Sequence, residues 1–241
     1  MSVFMVIPTY NEHENLARLV PAVMALEPAF NLVIVDDNSP DGTADLVAEL
    51  QQQYDRLHLI RRAGKLGFAS AEIAGLRYAL EQRPDFVGHM DADFSHHPRY
   101  LPQMLAKAES TGAEVVVGSR YVAGGGTLNW GLSRRILSRG ANTVARLLLG
   151  LSVNDCTSGF RLYRREVLES FDFDQVTVDG YSYLVEMVYL CQQRGCRFAQ
   201  VPIIFEDRTL GKSKINKRII REAMWLVLRR FIGRLTGRTM V

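Results

Sequence analysis

"DFVGHMDADFSHHP" (85–98) sets a short apolar run against two carboxylates one residue apart, Asp91 and Asp93, with His96 and His97 just beyond. The run "DFVGHMD" (85–91) has the length and composition of a buried strand. Carboxylates at the mouth of such a strand repel each other and are costly to desolvate, so the pair asks for a cation, hydrogen-bond donors or open water. Four more β-branched runs flank it: "VFMVIP" (3–8), "NLVIVD" (31–36), "LHLIRR" (57–62) and "AEVVVGS" (113–119). Segments with helical apolar spacing separate them, roughly 13–26, 42–53, 68–82 and 99–110, with Asp41 and Thr43 as turn or cap residues before the second. This alternation predicts βαβ units and a parallel sheet. Beyond residue 120 the pattern is less regular: a glycine run "AGGGT" (123–127), a basic helix around 133–148, a strand near "GFRLYR" (159–164), a helix over 182–195, a strand "FAQVPIIF" (198–205) and a final helix from about 214. No repeat, low-complexity tract or Pro-rich linker divides the chain, and a single domain is expected.

The 241 residues, 47% apolar and 23% charged, have the composition of a folded globular chain. Three cysteines, Cys156, Cys191 and Cys196, are odd in number and lack CxxC spacing, which points away from a disulfide framework or zinc site and towards a reducing compartment. No leader pattern and no run of the ~20 apolar residues needed to span a bilayer is present, so a cytoplasmic protein without a transmembrane helix is expected. The net charge of +3 hides a segregation: residues 208–241 hold ten Lys and Arg against the single acid Glu222. A tail of that kind suits an anionic surface.

Ligands of open α/β sheets gather at the carboxyl ends of the strands, where "PTYNE" (8–12), "DDNSPDG" (36–42) and "DADFSHHP" (91–98) should converge. Neither GxGxxG after the first strand nor GxxxxGK[ST] anywhere occurs, which argues against a dehydrogenase-type dinucleotide fold and a P-loop. Period-two geometry sends Asp91 and Asp93 to one side of an extended strand end, within reach of a hard divalent cation, Mg2+ or Mn2+ rather than zinc. The alternative is a pair of solvated turn carboxylates. For His96 and His97, packing and capping are the simpler roles than ligation. Between Glu114 and Asp155 lie five arginines and no acid: Arg120, Arg134, Arg135, Arg139 and Arg146. Guanidinium forks in such a run suit phosphate oxygens.

Taken in order, "VIPTYNE", "VIVDDNSPDGT", "RAGKLGFASA", "MDADFSHHP", "VGSRYV", "NWGLSRRILSRGAN", "SGFRLYRREV" and "RTLGKSK" resemble the family 2 glycosyltransferases of GT-A fold, and within them the dolichol- and polyprenol-phosphate mannose synthases. The resemblance covers nearly the whole chain. It implies a Rossmann-like α/β domain, a mixed and mostly parallel sheet with helices on both faces, divided into a nucleotide-sugar half (1–112), an acceptor half (113–207) and a basic amphipathic C-terminal segment (208–241). It implies further that Pro8, Tyr10 and Glu12 hold the ribose side of the donor while Val35 and Asp37 border the base. Asp91, Ala92, Asp93 and Ser95 would surround the metal and diphosphate; some relatives carry Gln where Ser95 stands, so its contribution to Mg2+ or Mn2+ is expected to be weak or water-mediated. Arg208 and Lys214 match a cationic pair near the donor phosphates, and Arg120, Arg134 and Ser138 match the acceptor-phosphate site, with Asp93, Arg120 and Arg208 at the chemistry.

The implied reaction moves mannose from GDP-mannose to a polyprenyl or dolichyl phosphate with inversion, by a metal-dependent enzyme lying peripherally on the cytoplasmic face of a membrane, alone or with a membrane-anchoring partner protein. The same fold with UDP-glucose or a UDP-N-acetylhexosamine stays open, because the residues do not reveal which base Asp37 meets. A non-enzymatic membrane or nucleic-acid-binding module is the rival of another class. It leaves the acidic strand ends unexplained, and the tail lacks the interleaved aromatics of a nucleic-acid binder, so no nucleic acid is expected as a partner. The last helix spaces Ile215, Ile219, Ile220, Ala223, Met224, Val227, Phe231 and Leu235 as an amphipathic stripe. It could pack on the core, meet anionic lipid, or dock by its first turns and meet lipid with its end.

Overall fold

The computed structural model describes residues 1–176, 178, 180–207 and 217–236, apart from the side chains of Tyr181, residues 217–221, Ala223 and Leu235. Its strands are β1 (Val3–Thr9), β2 (Asn31–Asp36), β3 (Leu57–Arg61), β4 (Phe86–His89), β5 (Val115–Ser119), β6 (Gly126–Leu128), β7 (Arg161–Arg164), β8 (Phe198–Pro202) and β9 (Ile204–Glu206). Its helices are α1 (His13–Met24), α2 (Thr43–Leu50), α3 (Phe68–Glu81), α4 (Leu101–Thr111), α5 (Leu132–Leu149), α6 (Arg165–Glu169), α7 (Gly180–Gln193) and α8 (Lys217–Leu235). Seven strands form one sheet in the order β3-β2-β1-β4-β7-β5-β8. All neighbours run parallel except β7, which is antiparallel to β4 and β5. The mixed, mostly parallel sheet expected from the sequence is the one observed.

Side chains of successive strand residues point to opposite faces, and both faces are covered. Val33 and Val35 of β2 join Val6 and Val87 in a core with α3, α5, α7 and α8, while Leu32 and Ile34 join Met5, Ile7 and Phe86 in a second core with α1, α2 and α4. The near-continuous apolar runs in the sequence follow from this two-sided burial. Gly75 sets how closely α3 approaches the sheet, since a Cβ there would lie 2.2 Å from Val6 Cγ1 and 2.9 Å from Val35 Cγ2.

The sequence reading of 198–205 as one strand is corrected. The chain leaves the main sheet after Pro202, which pairs with Ser119 at the end of β5, and Ile203 crosses to the two-stranded sheet of β6 and β9. Pro202 has no N–H for a ladder, so the switch falls where pairing is already ending. The glycine run supplies the partner strand β6 at Gly126–Leu128. The order β3-β2-β1-β4 also fixes the functional end of the sheet, because connections leave β1 towards β2 on one side while β4 lies on the other. The crevice between the carboxyl ends of β1 and β4 is therefore the switch point of the fold.

Candidate active site

The first two strands end side by side, Pro8 opposite Val35 and Thr9 opposite Asp36. Asp36 is spent on the scaffold: its carboxylate accepts from Thr9 Oγ1 (3.2 Å), Ser39 Oγ (2.5 Å) and the Ser39 N–H (2.9 Å). Asn11 and Asn38 take left-handed backbone on either side (φ 59° and 58°), a conformation asparagine tolerates better than most residues. Asp41 serves as the turn group expected of it, accepting from the N–H groups of Thr43 and His13. Glu12 precedes α1 and accepts from Asn15 Nδ2 at 2.7 Å, while Lys65 Nζ stands 4.1 Å over the Tyr10 ring.

Asp37 is buried, with Oδ1 2.7 Å from Arg62 Nη1 and a hydrogen bond from the Leu66 N–H. Burial raises its carboxyl pKa and Arg62 works against that rise. Val35 departs from the sequence expectation in one respect: its side chain is fully buried against α3, so only its backbone can border a bound base.

Asp91 follows β4 and keeps 37% of its side chain exposed. Its N–H donates to His96 Nδ1 at 3.0 Å, so that nitrogen carries no proton. Burial is the main influence lowering the His96 pKa, and its ring stacks on Phe160 (5.0 Å between centroids). His97 Nδ1 accepts from the Arg99 N–H at the turn opening α4. Both histidines thus pack and cap. Asp93 Oδ1 accepts from the N–H (3.1 Å) and Oγ (2.5 Å) of buried Ser95, which braces the carboxylate. Ala92 between them is buried. Among the described residues no group of three or more His, Cys, Asp or Glu is placed to hold a metal. Two carboxylates with water and a bound phosphate completing the shell fit Mg2+ or Mn2+, which prefer such mixed oxygen coordination.

A second wall adjoins this one. Gly159 lies beneath Asp91, a Cβ there falling 3.7 Å from Asp91 Oδ1. Phe205 packs edge-on against both His96 and Trp130, 5.4 Å from each. Arg120, at the end of β5, faces Tyr121, Trp130 and Phe205. It clasps Asp155 with Nε (2.7 Å), Nη2 (2.6 Å) and its backbone N–H (3.0 Å), and Nη2 also reaches Thr157 Oγ1. The pair is all but sealed from solvent, with side-chain exposures of 6% and 0%. Gly125 folds back over the backbone of Ser119 and Arg120, since a Cβ would meet Ser119 O at 2.5 Å. One face of α5 presents Arg134, Ser138 and Asn142 at i, i+4 spacing. Arg134 lies 4.0 Å over the Trp130 ring and bonds Asp207 Oδ2 through Nη1 (2.6 Å). Ser138 Oγ accepts from the Tyr121 hydroxyl (2.7 Å), and Asn142 ties Ser138 O to Thr157. Arg208 and Lys214 lie outside the described residues.

The sequence matches Glycosyl transferase family 2 over residues 4–171. The chain belongs to that family. It is 43% identical over 223 residues to the polyprenol monophosphomannose synthase of Mycolicibacterium smegmatis, covering 92% of this chain and 84% of that one. It is 38% identical over 229 residues to the undecaprenyl-phosphate mannosyltransferase of Micrococcus luteus, covering 95% and 93%. Among solved structures, glucosyl-3-phosphoglycerate synthase from Mycobacterium tuberculosis, in complex with Mn2+, UDP and glucosyl-3-phosphoglycerate, superposes with a TM-score of 0.68 at 18% identity, over 95% of this chain and 79% of that one. The fold is GT-A-like.

Within this family 2 glycosyltransferase, the structure brings Asp91, Asp93 and Ser95 together, and Arg120, Arg134 and Ser138 beside them. Sequence reasoning missed the groups that hold the two arginines, Asp155, Thr157, Trp130 and Asp207, and it missed Arg62 beside Asp37. A signal existed for one of them. Asp155 is the acid that ends the acid-free run after Glu114, and a lone carboxylate closing an arginine-rich stretch is a candidate partner.

Proposed function

We propose that this chain transfers mannose from GDP-mannose to a polyprenyl phosphate, with inversion at the anomeric carbon, at the crevice beyond the carboxyl ends of β1 and β4. The observation that carries the reading is the adjacency of the two walls. An acidic pair that suits a diphosphate-bound cation is joined through His96, Phe160 and Phe205 to a basic and hydroxyl-bearing surface that suits a second phosphate. The named activities of the two relatives at 38–43% identity support it.

Asp91 and Asp93 would hold Mg2+ or Mn2+, which when bound neutralises charge developing on the departing nucleoside diphosphate. Ser95 braces Asp93 for that role. Arg134 and Ser138 hold the acceptor phosphate and aim one oxygen at the sugar. The second pKa of a phosphate monoester is ~6, so the nucleophile is largely ionised at neutral pH and no strong general base is needed. This accounts for a wall of arginines where a hydroxyl acceptor would call for a carboxylate or imidazole base. Arg120, its charge balanced by Asp155, contributes fixed direction more than net charge. Pro8, Tyr10, Glu12 and Asp37 border the nucleoside at the ends of β1 and β2, and Arg208 and Lys214 are assigned to the donor phosphates on family resemblance alone.

The acceptor is a membrane lipid, and α5 and α8 lie side by side with apolar residues turned outward: Leu132, Ile136, Val144 and Leu147 on one, Met224, Trp225, Leu228 and Ile232 on the other. Arg135, Arg139 and Arg146 flank them, also exposed. No helix among the described residues is long and apolar enough to cross a membrane. This face would rest on an anionic bilayer and bring the α5 phosphate site to its substrate. A panel of GDP-mannose, UDP-glucose and UDP-N-acetylglucosamine, each with undecaprenyl phosphate and Mg2+ or Mn2+, tests the reaction. Lipid-linked mannose from GDP-mannose is expected. A different sugar on the lipid would replace the donor, and no lipid-linked sugar from any donor would reject the reading.

A further inference from the structure

Two arginines of the acceptor wall are each paired with a carboxylate, and the pairs differ in kind. Arg120 gives Asp155 three donors in a site sealed from water, and separating such a buried pair is costly. Arg134 meets Asp207 through one contact, Nη1 to Oδ2, and both side chains keep 31% of their surface exposed. Water can therefore reach either partner as the two separate, and such pairs are held weakly.

We propose that Asp207 occupies on Arg134 the place that the acceptor's phosphate takes, so that acceptor binding is an exchange of one anion for another. The inference rests on the acceptor-site reading above. Arg134 has a second hold on its position besides Asp207, because its guanidinium lies over the Trp130 ring at 4.0 Å. Ser138, one turn along α5, accepts from the Tyr121 hydroxyl, which leaves its own O–H to donate to something else. Trp130 Nε1 is buried in the same wall with no hydrogen-bond partner. A carboxylate carries one charge and two oxygens. A phosphate monoester carries nearly two charges and three terminal oxygens, enough to engage Arg134 and Ser138 together, and so can displace it. Asp207 itself is anchored through its backbone, its N–H donating to Leu128 O (3.3 Å) across the β6–β9 ladder, so its side chain can leave Arg134 without loss of that ladder. The carboxylate thus shields the arginine until a more highly charged anion arrives, and singly charged anions compete poorly for the site.

Calorimetric titration of the full chain with farnesyl phosphate, a short-chain prenyl phosphate, tests this without donor or metal. Asp207→Asn keeps the shape of the side chain and removes its charge, and is expected to tighten binding about three- to tenfold. Asp207→Glu, which restores a carboxylate, should return affinity towards that of the unaltered protein. Arg134→Ala should weaken binding, and adding Asp207→Asn to it should bring no gain. Farnesol, which has the chain but no phosphate, should bind all these proteins alike. Unchanged or weaker farnesyl phosphate binding by Asp207→Asn would overturn the exchange, as would an equal gain with farnesol. If Arg134→Ala leaves farnesyl phosphate binding intact, the acceptor-site reading itself fails. Weakening by Arg134→Ala without a gain from Asp207→Asn rejects the exchange alone.

Discussion

Asp93 is held from behind by two donors of Ser95 and carries no apolar load, so its loss should fall on chemistry rather than folding. Asp93→Ala is expected to abolish mannosyl transfer while the urea midpoint moves little; near-normal turnover would remove the carboxylate from the reaction. Ser95→Ala takes away the hydroxyl brace and should weaken Mn2+ binding in the presence of GDP by about tenfold, the lower end of what outer-shell partners contribute. Asp155 behaves oppositely. Asp155→Asn removes the carboxylate of a buried ion pair and should cost about 3 kcal/mol in denaturant unfolding, in addition to any loss of activity. These two kinds of residue were not equally visible beforehand. A carboxylate pair at the end of an apolar run announces itself by position. The partner of Arg120 sits 35 residues away and is brought to it by the reversal of β7, which no local pattern encodes.

At the scale of elements, α5 has two contrasting faces, for which the proposed reading gives two roles. Arg134, Ser138 and Asn142 face the site, while Ile136 and Leu147 stand in solvent. Replacing both apolar residues, Ile136→Glu and Leu147→Glu, should leave stability and soluble farnesyl phosphate binding intact. It should lower partition onto anionic vesicles at least tenfold, given ~1.5–3 kcal/mol for each such side chain moved out of water. Unchanged co-sedimentation would free this face from membrane contact. The helix itself was evident from its spacing, as were the five strands of the first half, whose two-sided burial writes long β-branched runs. Less evident was where a strand stops. In 198–205 the apolar residues continue unbroken through Pro202 and Ile203, but hydrogen bonding changes sheet there, and periodicity records burial rather than partnership.

For the whole molecule, the basic tail is less separate than its charge suggests. Leu226 and Val227 are buried, and Phe231 packs against the core. Arg230 reaches Glu186 on α7 in a pair only 15% and 5% exposed, and Arg234 donates to Leu148 O near the end of α5. Docking therefore extends along α8 through Phe231, while Met224, another member of the amphipathic stripe, faces solvent. The reason is electrostatic: Glu186 is buried and needs a cation. Removing residues 229–241 should consequently lower stability by ~3–5 kcal/mol by stranding that carboxylate, and Arg230→Ala should reproduce most of the loss in urea unfolding. A truncation that left stability untouched would mean that Glu186 is solvated without its partner.

The antiparallel β7 has a consequence for how such a protein can diversify. Parallel strands deliver to the working end of the sheet only the loops that leave them. A reversed strand delivers there the loop that enters it, here residues 155–160, so one rim is built from two independent families of loops. In the function proposed above, those that leave β1, β2 and β4 would meet the nucleotide sugar, while the loop entering β7 would support the acceptor wall. Changes in one set need not disturb the other, and a lineage keeping a single donor could explore new acceptors by varying the reversed strand's approach alone.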